Sequence, residues 1–108
     1  MVENSNSPRK LEDEALLLVS GSKGSKEADK EYVKKLSNAI LQVFYKHEEA
    51  RLRCVGAAAL NNAVKSFIIA KGEADKKGDK LGFDPSFTTV SFKGEEKTGI
   101  VFEVKIRE

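Results

Sequence analysis

A chain of 108 residues suits one small domain and is too short for two ordinary ones. Hydrophobic residues make up 40% of it and charged residues 33%, which is enough apolar content for a modest core and excludes a wholly disordered chain. Cys54 is the only cysteine and the net charge is +2, so intramolecular disulfides and multi-cysteine metal sites are excluded and the total charge names no partner.

Residues 1–10, MVENSNSPRK, are polar and aperiodic. A flexible tail is expected over 1–13, followed by one domain over 14–108. No charged segment followed by an apolar one opens the chain, so no secretory signal is expected. Ala15 to Ser20 is an apolar run of strand length, and it reads as a central strand buried on both faces. Gly21 to Ser25 is a loop of small residues. A helix then starts between Lys26 and Asp29, with Glu27, Asp29 and Glu31 at the positive end of its dipole. Tyr32, Val33, Leu36, Ala39, Ile40, Val43 and Phe44 form its apolar stripe at helical spacing. Lys46 and His47 close it.

Arg51 to Val55 reads as a second strand, with Leu52 and Cys54 on one face and Arg51 and Arg53 on the other. The spacing predicts a second helix over Ala57–Lys71, ended by Gly72, with Leu60, Ala63, Val64, Phe67 and Ile68 inward. Residues 73–80 read as a polar loop. Leu81 to Lys93 is a strand whose Pro85 argues for an edge position or a bent strand start. Residues 93–97 form a hairpin tip. Thr98 to Arg107 alternates, with Ile100, Phe102, Val104 and Ile106 on one face. The order is β-α-β-α-β-β. It predicts a two-layer α+β domain in which two helices cover one face of a mixed four-stranded sheet. The first two strands are parallel and the last two form a hairpin. The other sheet face stays open, with Arg51, Arg53, Lys105 and Arg107 as candidates for it.

Charge is unevenly spread. Residues 1–14 sum to −2, residues 15–72 to +5 and residues 73–108 to −1. A local basic excess attracts polyanions even when the total is small. In the loop Gly21 to Lys26, small residues and free amides beside a helix start suit phosphate, and Lys23 and Lys26 add charge. The spacing GxxGxK is not that of a nucleotide-binding P-loop. The start of the second helix, Gly56 to Asn62, offers a second positive dipole end. Its alanines 57–59 leave room for a ligand or for close packing, and Asn61 and Asn62 are hydrogen-bonding groups. Lys65 lies one turn beyond Asn61. Arg51 and Arg53 stand about 7 Å apart by strand rise, which suits successive phosphates, although a solvated face paired to Glu103 is the plainer reading. Lys93 and Lys97 flank the hairpin tip, but Glu95 and Glu96 between them repel phosphate. Cys54 on its strand's apolar face reads as an inert core thiol, and His47 reads as a helix-end cap. The two form no metal-ligand set, and Glu48 and Glu49 are adjacent and so form no acid–base pair. No metal, no cofactor and no enzymatic activity are expected.

The segment Gly56 to Gly72, GAAALNNAVKSFIIAKG, resembles the signature segment of the stage V sporulation protein S family. Pro85 to Val104, with its Gly-Glu-Glu turn followed by Lys97 and Thr98, resembles that family's C-terminal hairpin. The opening LLLVS resembles its first strand. The resemblance runs from about Leu16 to the C-terminus. That family is itself similar in fold to Alba, the small dimeric DNA- and RNA-binding chromatin proteins. The resemblance therefore implies an Alba-like fold, a homodimer, and nucleic-acid binding tied to developmental or sporulation regulation. It places the contacts at Lys23 and Lys26, at Gly56 to Asn62, and at Lys93 to Lys97. The expected function is a small dimeric DNA- or RNA-binding regulator, cytoplasmic or on the nucleoid or in a nucleus, and not membrane-bound. The alternative is a protein–protein interaction module on the same fold without nucleic-acid binding, motivated by the acidic hairpin tip and acidic N-terminal segment.

Overall fold

Ser25 begins the first helix because its backbone is extended (φ −151°, ψ 162°) and its hydroxyl accepts the Ala28 N–H at 3.1 Å, satisfying an amide that has no partner inside the helix. The computed structural model describes residues 14–107; the tail expected over 1–13 lies outside the described residues. The elements are β1 (Leu16–Leu18), α1 (Lys26–His47), β2 (Ala50–Cys54), α2 (Ala57–Lys76), β3 (Leu81–Phe92) and β4 (Glu95–Ile106). Strand order is β1-β2-β4-β3, with β1 and β2 parallel and both other pairings antiparallel. The two helices and the mixed four-stranded sheet are the α+β arrangement that the sequence predicts. α1 ends where expected, at His47, where Glu48 turns left-handed at φ 60°.

Three boundaries differ from expectation. β1 is short and lies at the sheet edge, and Leu18 is 62% exposed. An apolar run long enough for a central strand is therefore covered on one face only. α2 does not stop at Gly72; it runs on to Lys76, and the chain turns instead at Gly78, with φ +89°. Ala74 is fully buried in that extra turn, and the ion pairs Lys71–Asp75 at 3.6 Å and Lys76–Glu73 at 3.3 Å line it. Packing thus overrides a glycine whose intrinsic cost in a helix is about 1 kcal/mol. The hairpin turn is only Lys93-Gly94, both left-handed at φ 53° and 79°, a two-residue turn of the type whose twist matches its strands. Glu95 and Glu96 are the first residues of β4, paired with Phe92 and Ser91.

The inward face of α2 also differs. Ala59, Asn62, Ala63, Ser66, Phe67, Ala70 and Ala74 are buried, whereas Val64 and Ile68 face outward, Ile68 being 60% exposed. The small residues let α2 lie close to α1 and the sheet, and the branched ones are left outside. One aromatic column ties α2 to the hairpin. Phe67 stacks on Phe83 with ring centroids 4.2 Å apart, and Phe83 stacks on Phe102 at 4.0 Å. β2 pairs with β4 only as far as Cys54–Ile100. Beyond that, β3 and β4 continue through five further pairs, Thr88–Gly99 to Phe92–Glu95. They form a two-stranded arm reaching about 15 Å past the sheet. At its root a side chain on Gly99 would meet the Cys54 carbonyl oxygen at 2.8 Å and Val55 at 3.2 Å.

Phe102→Ala, which removes the end of the aromatic column, should lower stability by about 3–5 kcal/mol. Gly99→Ala should cost about 1–3 kcal/mol through the clash at the arm's root. Urea unfolding monitored by circular dichroism measures both.

Candidate functional site

Both helices spring from the same end of the sheet, because each follows a parallel strand. Their positive dipole ends therefore lie together, and the hairpin arm projects from that same end. The β1–α1 loop is held there by α2. Asn62, only 5% exposed, donates from its amide nitrogen to the carbonyls of Ser20 at 3.0 Å and Gly21 at 3.1 Å. The Ser20 N–H donates to the Tyr32 hydroxyl at 2.7 Å. Gly21 packs so near Ala58 that a Cβ would lie 3.3 Å from the alanine's methyl.

Within the loop, the Lys23 N–H donates to Asp29 Oδ1 at 2.6 Å, and the Gly24 N–H to the Ser22 hydroxyl at 3.3 Å. The Lys23 ammonium stands 4.8 Å over the Tyr32 ring, a cation–π geometry. The loop amides expected to be free for phosphate are thus partly taken by the protein's own groups. Asn62, expected among the contact residues, has a different task. A buried amide with both hydrogens committed to loop carbonyls is a clamp and not a contact.

Beside the loop, α1 and α2 enclose an open cleft of about 390 Å³ lined by Lys26, Asp29, Lys30, Val33, Asn61, Asn62, Lys65 and Ile69. It brings together four of the sequence candidates, Lys26, Asn61, Asn62 and Lys65, and adds Lys30, which the sequence reading does not single out. The signal for Lys30 was present: it stands four residues after Lys26 and so falls on the same helix face. Three lysines against one aspartate make this cleft cationic.

The other candidates lie elsewhere. Arg51 and Arg53 are half-buried on the sheet face that carries no helix. Their register sets Arg51 across from Glu103 and Arg53 across from Val101. On that face Lys105 bonds Asp84 at 2.9 Å and lies 3.9 Å from Glu103. The Asp84 hydrogen bond and then the two carboxylate charges raise the Lys105 pKa. The open face is therefore mixed in charge. Lys93 and Lys97 are exposed on the arm, and strand alternation puts Lys97 on the side of the open face and not of the cleft.

Cys54 is buried, and burial pushes its pKa up from 9.0 to about 11, which opposes the thiolate that reactivity requires. His47 Nε2 stands 3.8 Å from Glu14. Among the described residues no cluster of three or more histidine, cysteine, aspartate or glutamate side chains is placed to hold a metal ion. No helix among them is long and apolar enough to cross a membrane.

The family model described as stage V sporulation protein S matches residues 26–107, from the first residue of α1 to beyond the end of β4. The chain belongs to the stage V sporulation protein S family. The match takes in the whole cleft, the arm and the open-face residues of β2, β3 and β4. It begins after β1 and the Gly21–Ser25 loop, so the Asn62 clamp joins a residue inside the matched segment to carbonyls outside it.

Asn62→Ala should cost about 1–3 kcal/mol, the net worth of two hydrogen bonds to half-buried carbonyls, and should speed amide hydrogen exchange across residues 20–25. The neutral Cys54 thiol is favoured in the fold. Stability should therefore fall as pH rises from the unfolded thiol's pKa, near 9.0, towards about 11, because the unfolded chain releases its proton first. Cys54→Ala should remove that part of the slope in urea titrations across this range.

Proposed function

We propose that this member of the family is a small nucleic-acid-binding regulatory protein that works as a homodimer. It engages the phosphodiester backbone through the cleft between α1 and α2. The observation that supports this reading is the convergence of Lys26, Lys30 and Lys65 with Asn61 in one cleft, at the end of the sheet from which the arm projects. Lysines supply sequence-independent attraction to phosphates, and an exposed asparagine adds a hydrogen-bonding group for sugar or base edges. Lys23, Lys93 and Lys97 serve as outlying contacts, and Arg51 and Arg53 as a secondary surface on the open sheet face. Binding without a catalytic step, inside the cell and away from membranes, completes the reading.

The dimer is supported by apolar side chains left outside the core: Val64 and Ile68 on α2, and Phe87 at the root of the arm, which is 82% exposed. Burying them against a second copy removes them from water. The alternative, a protein-interaction module, is favoured by the open sheet face, where Lys105 is held by Asp84 and Glu103 and little net positive charge is left for a polyanion.

Fluorescence anisotropy with DNA and RNA oligonucleotides tests the leading reading. The slope of log K against log salt should be about −2 to −4, and replacing Lys26, Lys30 and Lys65 by alanine together should flatten it by about 2 to 3. Absence of binding at low salt by the folded protein would sink the reading in favour of the interaction module. Light scattering should give twice the chain mass for the wild type and the single-chain mass for Ile68→Glu.

A further inference from the structure

The cationic cleft carries its own anion. Asp29 lies on the cleft wall with Lys26, Lys30 and Lys65, and its carboxylate accepts the Lys23 N–H at 2.6 Å. A charge-assisted bond from a backbone amide to an anionic oxygen is also what a bound phosphate would make at this place. The other acids of the same helix stretch do not share the position. Glu27 and Glu31 line the adjoining flank of α1, with Ala28, Lys30 and Lys34, and of these only Lys30 also lines the cleft. Only one carboxylate of the helix start therefore faces the lysines from within the cleft.

We infer that Asp29 is an internal competitor of the phosphate ligand. It occupies the Lys23 amide and offsets the cleft lysines in the free protein, and an incoming phosphate must displace it. The inference rests on the cleft being the phosphate-binding surface proposed above, and it adds a device that keeps affinity low and salt-sensitive. Two properties follow from the geometry. Removing the charge while keeping an acceptor, as in Asp29→Asn, leaves the loop closed and relieves the repulsion of phosphate. Removing both, as in Asp29→Ala, also frees the Lys23 N–H for the ligand.

The test is anisotropy titration of one labelled DNA duplex and one labelled single-stranded RNA, with wild type, Asp29→Asn, Asp29→Ala and Glu31→Gln in parallel. Circular dichroism melts establish that each variant is folded; Asp29→Asn keeps the acceptor and guards against the alanine variant failing to fold. Both Asp29 variants should bind about tenfold more tightly, the scale of one charge-assisted hydrogen bond. The alanine variant should gain at least as much as the asparagine variant, with a salt slope steeper by about 1. Glu31→Gln removes the same charge from outside the cleft, on the adjoining flank, and should gain at most about twofold once salt screens it. Equal gains from Glu31→Gln and the Asp29 variants would reduce the effect to net charge and overturn the inference, as would weaker binding by a folded Asp29→Asn. If the wild type binds with the expected slope and the variants match it, only this inference falls. If none of the four chains binds, the phosphate-binding reading falls with it.

Discussion

The amide of Asn62 decides where the two helices begin relative to one another. α1 and α2 each follow a separate parallel strand, and nothing in that topology alone fixes the loop between β1 and α1. A single buried side chain does so, by donating both of its hydrogens to the Ser20 and Gly21 carbonyls. The rest of the site is built outward from that point. The Tyr32 hydroxyl receives the Ser20 amide, the Lys23 ammonium lies over the same ring, Asp29 takes the Lys23 amide, and Ser25 starts the helix that carries Lys26 and Lys30. The clamp gains strength from the burial of the Asn62 amide, which has little water to fall back on.

Much of this was legible in the sequence. The helical stripe from Tyr32 to Phe44 and the strand alternation of the last ten residues specify their elements through local periodicity, and Pro85, which lacks an N–H for the ladder, lies on a strand at the sheet edge, one of the two placements it suggests. The two misreadings of α2 share one physical origin. Val64 and Ile68 seemed inward by hydrophobicity, and Gly72 seemed terminal by propensity. Close packing of α2 instead selected the alanine and serine face, and it extended the helix to bury Ala74. Local rules weigh each residue alone, whereas the choice of face depends on how near another element must come.

The candidate site was legible in parts. Lys26 is far in the chain from Asn61 and Lys65 yet lines one cleft with them, because both helices start at one end of the sheet. Asn62 could not be separated from Asn61 by residue type; only burial does that. The arginines of β2 lie on the face without helices, since strand alternation that sends Leu52 and Cys54 inward necessarily sends Arg51 and Arg53 the other way. The acidic pair at Glu95 and Glu96 proved to be strand and not turn, so by alternation the two carboxylates lie on opposite faces of the arm.

The two-stranded arm has a consequence for how such a protein diversifies. Past Gly99 its residues bury little and support no part of the core, so most substitutions there leave stability nearly unchanged. The clash-free root at Gly99 and the tight Lys93-Gly94 turn are the positions where the backbone restricts the choice of residue. Between them the side chains are open to drift under selection for partners alone. Within one family, then, the arm is a segment whose surface chemistry can change while the fold stays as it is.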